Sequence, residues 1–213
     1  MFRIVQLSDL HCGQQFFLPQ HLERAIAEVN EMEPDVVVIS GDLTSNGFKD
    51  EYTLAREYLN RIECAAMVVI PGNHDSRNVG YVHFEDLFGD RNSVLNVGRA
   101  TIVAVDSSEP DLDNGQVDHE IDLGRVETLD ERHTVVVIAA QLLRPTDEQR
   151  ADDVVRHRLE GIPHNRGVVL AVDQDDCAGG HVERTSSSIR AVYFSYVFVS
   201  VENWMILSCP WNG

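Results

Sequence analysis

The sequence predicts an α/β protein whose amino-terminal half contains a parallel sheet. Three short apolar runs, at residues 2–7, 35–40 and 66–70, have the length and composition of covered strands. The two segments between them carry apolar residues at helical spacing, at 19–33 and 49–62. A β-α-β-α-β order favours parallel strands joined by right-handed crossovers.

The rest of the chain continues this alternation of strand and helix patterns. Further strands are predicted at 93–97, 100–106, 134–139 and 167–172, with more β structure at 189–200 and 204–208. Further helices are predicted at 81–88, 116–131 and 146–159. No change of composition divides the chain, so we expect residues 1–213 to form a single domain.

The chain is unusually acidic. It carries 35 acidic residues against 17 basic ones, with a net charge of −18, and Lys49 is its one lysine. At long range such a chain repels nucleic-acid phosphate and anionic membranes, which argues against a membrane or long nucleic acid as a partner. Solubility and adaptation to high salt both remain open as reasons for the charge.

The cysteines and the chain start favour a cytoplasmic protein. The four cysteines, at 12, 64, 177 and 209, form no C-x-x-C pair, which is typical of reduced thiols. The predicted first strand starts at once, which argues against a signal peptide. No apolar run approaches the roughly 18 residues needed to span a bilayer.

Metal-binding side chains follow each of the first three predicted strands. Asp9 and His11 follow the first, Asp42 the second, and Asn73 and His74 the third. The carboxyl ends of parallel strands meet at one edge of a sheet, where α/β proteins place their ligands. Carboxylates, imidazoles and an amide oxygen together are typical of a divalent-metal site. Turn formation explains Asp9, Asp42 and Asn73 singly, but it does not explain five metal-binding side chains at three strand ends.

Four short motifs carry a resemblance to a known family. They are Asp9-Leu10-His11, Gly41-Asp42, Gly72-Asn73-His74-Asp75 and Gly180-His181-Val182-Glu183. With them in this order, the sequence resembles the calcineurin-like metallophosphoesterases, and among these the cyclic-nucleotide phosphodiesterase-like branch. The resemblance implies a four-layer α/β/β/α sandwich of two mixed β-sheets flanked by helices, the metallo-dependent phosphatase fold.

The resemblance also implies two divalent ions, drawn from Mn, Fe, Zn or Co. Asp42 would bridge them, Asp9 and His11 would hold the first ion, and Asn73 and His181 would hold the second. Both ions prefer such mixed oxygen and nitrogen ligands.

The implied reaction is hydrolysis of a small phosphate ester, more readily a diester than a monoester, by metal-bound hydroxide. His74 would not bind metal but would face the phosphate and protonate the leaving oxygen, as a histidine of near-neutral pKa can. We expect Asp75 to buttress the loop.

The last third of the sequence departs from the family pattern. Where the family has a histidine after the strand at 134–138, this chain has Ala139-Ala140-Gln141. Where the family has Gly-His-x-His, the last histidine is replaced by Glu183, whose carboxylate could serve as a ligand instead. Residues 140–213 match the family less well than those before them.

The sequence therefore leaves three hypotheses about function. The first is a divergent phosphoesterase, and the second is a catalytically impaired binding or scaffold protein on the same fold. The third, a nuclease acting on long nucleic acid, is disfavoured by the net charge of −18.

Overall fold

The computed structural model describes residues 2–98, 100–110, 134–139, 166–171, 182–185, 188–191, 197–201 and 204–210. The helices among them are α1 (Pro19–Glu31), α2 (Lys49–Leu59) and α3 (Gly80–Phe88), with a 3-10 turn at Arg77–Val79 before α3. The strands are β1 (Phe2–Ser8), β2 (Val36–Ser40), β3 (Met67–Ile70), β4 (Ser93–Val97), β5 (Ala100–Val105), β6 (Thr134–Ala139), β7 (Arg166–Ala171), β8 (Val182–Thr185), β9 (Ser188–Ala191), β10 (Val197–Val201) and β11 (Trp204–Pro210).

These elements match the predicted ones closely, except that strand β8 (Val182–Thr185) was not predicted. The β structure expected at 189–200 belongs to two strands, β9 and β10, in different sheets. The helices predicted at 116–131 and 146–159 lie outside the described residues. Within the described part of the chain, no helix is long and apolar enough to cross a membrane.

The strands form two mixed sheets, as predicted. The first has the order β10-β11-β1-β2-β3, in which only β10 runs antiparallel to its neighbour. The second has the order β4-β5-β6-β7-β9-β8, with its outer strands β4 and β8 antiparallel to the parallel interior. In the first sheet, β1, β2 and β3 point the same way, so their carboxyl ends lie at one edge.

Side-chain alternation along the strands divides the core into two parts. Ile4 and Val38 point from the first sheet towards Ile102 of β5 in the second sheet. Their chain neighbours, such as Val37, pack on the opposite face against α1, α2 and α3. Successive residues of a strand face opposite sides, which explains how fully apolar strands cover both faces. The described residues thus form three layers: helices, first sheet and second sheet.

The layer between the sheets becomes polar near the carboxyl ends of the strands. Gln6, Ser8 and Ser40 are all buried on the face that Ile4 occupies further down. The Gln6 Nε2 amide donates a 2.6 Å hydrogen bond to Ser40 Oγ, linking β1 to β2. The apolar core therefore ends just before the loops that carry the predicted ligands.

Candidate metal centre

The loops after β1 and β2 run side by side beyond the sheet. Three backbone hydrogen bonds join them: Asp9 N–H to Gly41 O (3.2 Å), His11 N–H to Asp42 O (2.9 Å) and Cys12 N–H to Leu43 O (2.9 Å). These bonds extend the parallel pairing past the ends of the strands. Consequently Asp9, His11 and Asp42 lie at the same edge of the sheet, as the sequence predicts.

The same three residues have an unusual backbone conformation. Their φ angles are positive: 60° at Asp9, 43° at His11 and 50° at Asp42. A non-glycine residue in this region costs on the order of 1–3 kcal/mol, and such residues cluster at functional sites. Of the six non-glycine residues with positive φ among the described residues, three are thus ones that the motifs single out independently.

Three side chains from the three loops converge on a small volume. His11, Asp42 and His74 each offer a nitrogen or oxygen, all within 4.8 Å of one another. Asp42 Oδ2 lies 3.7 Å from His11 Nε2 and 3.9 Å from His74 Nε2, and Asp9 Oδ1 lies 3.9 Å from His11 Nε2. These separations are too long for hydrogen bonds and leave room between the donor atoms.

The chemistry of these atoms suits a cation. Asp42 is fully buried, and its Oδ1 accepts a 3.1 Å hydrogen bond from His74 N–H. Its other oxygen, Oδ2, and Oδ1 of the buried Asn73 accept no hydrogen bond from the residues that the structure describes. A buried acceptor oxygen is costly unless a proton donor or a cation meets it. A buried carboxylate beside two imidazoles fits a divalent transition metal.

Burial shapes the electrostatics of the site. Desolvation, reinforced by the nearby His74 and Arg77, lowers the pKa of His11 to about 4. His11 is therefore neutral at pH 7 and keeps a lone pair on its ring. Burial also raises the pKa of Asp9 above its usual range, because the charged carboxylate loses its hydration.

Asp75 buttresses the site, as expected from the sequence. It is fully buried, and its two oxygens accept four hydrogen bonds: from Leu43 N (3.0 Å), Thr44 N (2.9 Å), Thr44 Oγ1 (2.7 Å) and Gly72 N (2.9 Å). Burial raises the pKa of Asp75 to about 6, although these hydrogen bonds favour its charged form. Asp75 thereby ties the loop after β3 to the loop after β2.

The imidazole of His74 has two competing contacts at one nitrogen. Its Nδ1 lies 2.8 Å from the Ser45 carbonyl oxygen and 3.0 Å from Arg77 Nη1. A carbonyl only accepts and a guanidinium only donates, so each contact requires a different neutral tautomer. With the proton on Nδ1, Nε2 carries a lone pair towards Asp42. With Arg77 donating to Nδ1, Nε2 carries the proton instead.

Sequence reasoning missed Ser45, Glu51 and Arg77. Ser45 contributes its carbonyl, which every residue type has, and its hydroxyl, which lies 3.4 Å from His11 Nδ1. No local sequence signal reveals either contact. Glu51 shapes the same loop, with Oε2 accepting from Asn46 N–H (2.9 Å) and Phe48 N–H (3.2 Å). An acidic residue at the third position of a helix is a capping signal, and Glu51 could have been found from it. Arg77 could have been noticed as a cation two residues after the Gly-Asn-His-Asp motif.

The structure describes only some of the residues on which the predictions for the last third of the chain depend. Ala139 is the last residue of β6, and Glu183 lies on the outer strand β8 opposite Arg190 of β9. His181 and residues 140–141 lie outside the described residues. The roles predicted for His181 and Glu183 therefore stay predictions.

A family comparison covers the part of the chain that contains this site. The profile of the calcineurin-like phosphoesterases matches residues 2–177, which is most of the chain. The chain therefore belongs to the calcineurin-like phosphoesterase family. The matched region contains the three loops of the candidate metal centre and ends before His181.

Individual relatives are similar to about half of the chain. A probable glycerophosphodiester phosphodiesterase of Arcobacter nitrofigilis is 32% identical over 119 residues, covering 49% of this chain and 43% of the relative. A probable cyclic nucleotide phosphodiesterase of Vesicomyosocius okutanii is 27% identical over 120 residues, covering 54% and 49%. An uncharacterized metallophosphoesterase of Bacillus subtilis is 31% identical over 134 residues, covering 59% and 46%. The chain thus spans about half the length of the curated relatives that it matches.

A solved structure shows the same fold. The crystal structure of a dimetal phosphatase from Danio rerio matches with a TM-score of 0.50, covering 88% of this chain and 85% of the other. The two sequences are only 11% identical, so this similarity concerns the fold alone. It agrees with the α/β fold of two mixed sheets predicted from the sequence.

Proposed function

We propose that the chain is a metal-dependent phosphoesterase that hydrolyses small phosphodiesters at a dinuclear site. One observation carries the proposal: Asp9, His11, Asp42 and His74 converge at the ends of three neighbouring parallel strands. Family membership supports phosphoester hydrolysis. The names of two relatives, a glycerophosphodiester and a cyclic nucleotide phosphodiesterase, support diesters over monoesters.

In this proposal Asp42 would be shared by two divalent ions, because it is the buried carboxylate that lies beside both His11 and His74. Asp9 and His11 would hold one ion, and Asn73 and His181 would hold the other, with Glu183 as a further ligand. Such ions, when bound, neutralise the phosphoryl charge and acidify a water molecule.

The protein itself would position the substrate and supply a proton. His74 lies beside Asp42, and as an imidazolium it would donate a hydrogen bond from Nδ1 to the Ser45 carbonyl, 2.8 Å away, while carrying a second proton on Nε2. The Nε2 proton would pass to the leaving oxygen of the ester and leave a neutral imidazole. The Arg77 guanidinium would also offset phosphate charge in a chain whose net charge is −18.

The test is hydrolysis of a chromogenic aryl phosphodiester by purified protein with and without Mn²⁺, alongside Asp42→Asn. We expect turnover that requires metal and is lost in the variant, because Asn removes the shared negative charge. The control is Asp50→Asn, an exposed carboxylate in the first turn of α2, which should leave turnover unchanged. Metal-independent turnover, or full activity in Asp42→Asn, would contradict the proposal.

A second candidate is a binding or scaffold protein on the same fold. The observation that favours it is Ala139 at the end of β6, a residue with no side-chain donor where the family has a histidine. Metal content discriminates between the two functions. Two ions per chain support the enzyme, whereas one or none, with no turnover in any divalent metal, supports the scaffold.

A further inference from the structure

A chain of side-chain contacts links the second sheet to the loop after β3. Ser76 Oγ lies 2.5 Å from Ser108 Oγ, and Ser108 Oγ lies 2.6 Å from Asp106 Oδ1. Arg91 Nη1 lies 2.9 Å from the other Asp106 oxygen, Oδ2. Ser76 and Ser108 are buried, and the Asp106 side chain is 6% exposed. We call Ser76, Ser108, Asp106 and Arg91 the serine latch.

The hydrogen bonds of the serine latch all run towards the Asp106 carboxylate. The Asp106 carboxylate only accepts, so Ser108 donates its hydroxyl proton to Asp106. Ser108 then has only lone pairs left for Ser76, and Ser76 Oγ–H must be the donor between the two serines. A chain of aligned hydrogen bonds ending on a buried carboxylate is strengthened cooperatively.

Several further contacts fix Asp106 and Arg91, the end of the serine latch that lies away from Ser76. The guanidinium of Arg91 also donates to Glu85 Oε1 of α3 at 3.0 Å and lies 5.7 Å from the ring centroid of Tyr81. Asp106 is fixed further by its own N–H, which donates to Asn92 Oδ1 at 2.8 Å. The Ser108 hydroxyl, which accepts from Ser76, is therefore tied through Asp106 and Arg91 to α3, and Asp106 in the loop after β5 is tied to the loop before β4.

The near end adjoins the candidate metal centre. Ser76 directly follows Asp75, which grips the loop of Asp42 through Leu43 and Thr44. Ser76 N–H also donates to the Gly72 carbonyl at 3.2 Å, closing the turn that contains Asn73 and His74. A shift of Ser76 would therefore move the turn that carries Asn73 and His74. It would also move Asp75, whose hydrogen bonds hold the loop of Asp42.

We infer that Ser108 is a positioning residue for the metal centre, which it orients through its hydrogen bond to Ser76. This inference rests on the proposed function, since it concerns the residues proposed as ligands. The contact between Ser108 and Ser76 adds no ligand from the second sheet. It fixes the position of the ligands that follow the strands of the first sheet. Groups behind metal ligands commonly affect metal affinity in this way.

The experiment measures Mn²⁺ binding by calorimetry to metal-free wild type, Ser76→Ala, Ser108→Ala and the double variant. We expect each single variant to bind Mn²⁺ about ten-fold more weakly, within the range seen for groups behind metal ligands. Both single changes break the same hydrogen bond, so the double variant should be no weaker than the worse of the two. Ser108→Thr keeps the hydroxyl and should restore most of the affinity.

The matched control is Thr101→Val, which removes a buried hydroxyl of β5 that donates to Asn96 at 2.6 Å, outside the serine latch. It should lower the melting temperature but leave Mn²⁺ affinity unchanged. Unchanged affinity in both single serine variants, additive losses in the double variant, or an equal loss in Thr101→Val would overturn the inference.

Folding and the proposed function are checked in the same experiment. If Ser108→Ala does not fold, Ser76→Ala tests the inference instead, because it removes the same hydrogen bond. If neither variant folds, the hydrogen bond is purely structural and the inference fails. Wild type that binds none of Mn²⁺, Fe²⁺, Zn²⁺ and Co²⁺ would refute the proposed function and the inference with it. Tight wild-type binding with unaffected variants would refute the inference alone.

Discussion

His74 is placed where it could serve either as a metal ligand or as a proton donor. Its Nε2 lies 3.9 Å from Asp42 Oδ2, and its ring meets that of His11 edge to face, with centroids 4.7 Å apart. The family resemblance assigns it to the substrate rather than to the metal. The contact between Nδ1 and the Ser45 carbonyl agrees with this role, because an imidazolium that donates there keeps a second proton on Nε2 for the leaving oxygen.

Replacing His74 by Ala should therefore leave metal binding within a few-fold of wild type and lower kcat about 100-fold or more, the usual contribution of a general acid. Calorimetry with Mn²⁺ and hydrolysis of an aryl phosphodiester measure the two effects. The control is His83→Ala on α3, whose ring lies beside Tyr52 rather than in the site. Loss of Mn²⁺ binding in His74→Ala would instead make His74 a ligand.

At the scale of elements, the start of α2 shapes the loop that faces His74. Glu51 is buried in the first turn of α2, where it receives hydrogen bonds from the backbone of Asn46 and Phe48. Its side chain also packs closely against Gly13 in the loop after β1. Glu51 thus connects two of the three loops that carry the predicted ligands.

Glu51→Gln should reduce the free energy of unfolding by about 1–2 kcal/mol, because an amide nitrogen would replace one of the two carboxylate oxygens that accept from Asn46. Asp50→Asn is the matched control, since it removes the same charge from the same helical turn at an exposed position. Urea unfolding of both variants without metal gives the comparison. Equal losses in the two variants would show that only the helix dipole matters.

Secondary structure was largely predictable at this scale. The strands β1, β2 and β3 are local apolar runs ended by turn residues, so their positions could be derived from short stretches of sequence. The assignment of β9 and β10 to different sheets could not be derived in this way. Strand pairing depends on contacts between distant residues, and apolar strands can pair in many orders.

For the whole molecule, metal binding should stabilise the fold, because the unfolded chain does not hold the three loops together. At 100 times the dissociation constant, a bound ion adds about 2.7 kcal/mol to the free energy of unfolding. We expect Mn²⁺ to raise the melting temperature, EDTA to reverse the rise, and Asp42→Asn to abolish it.

The control for this experiment is KCl at equal ionic strength, because screening alone can stabilise a chain with a net charge of −18. An equal rise in KCl would mean that screening accounts for the effect. It would also favour adaptation to high salt as the reason for the acidic composition.

By itself, the sequence determined the α/β class, the three strand ends and the residues that gather there. Asp9, His11, Asp42 and His74 could be identified because strand ends follow from local apolar runs and metal-binding side chains have distinctive chemistry. Asp75 was identified as a buttress for the same reason, although its partners were not.

Only the tertiary structure decided which groups hold these residues in place. The carbonyl of Ser45, the partners of Asp75 in the Asp42 loop and the contact of Ser76 with Ser108 all join residues about 30 positions apart. A backbone acceptor is the same in every residue type, and a serine hydroxyl can bond to many partners. Their pairing therefore depends on how the loops and the two sheets pack, which no local pattern of the sequence contains.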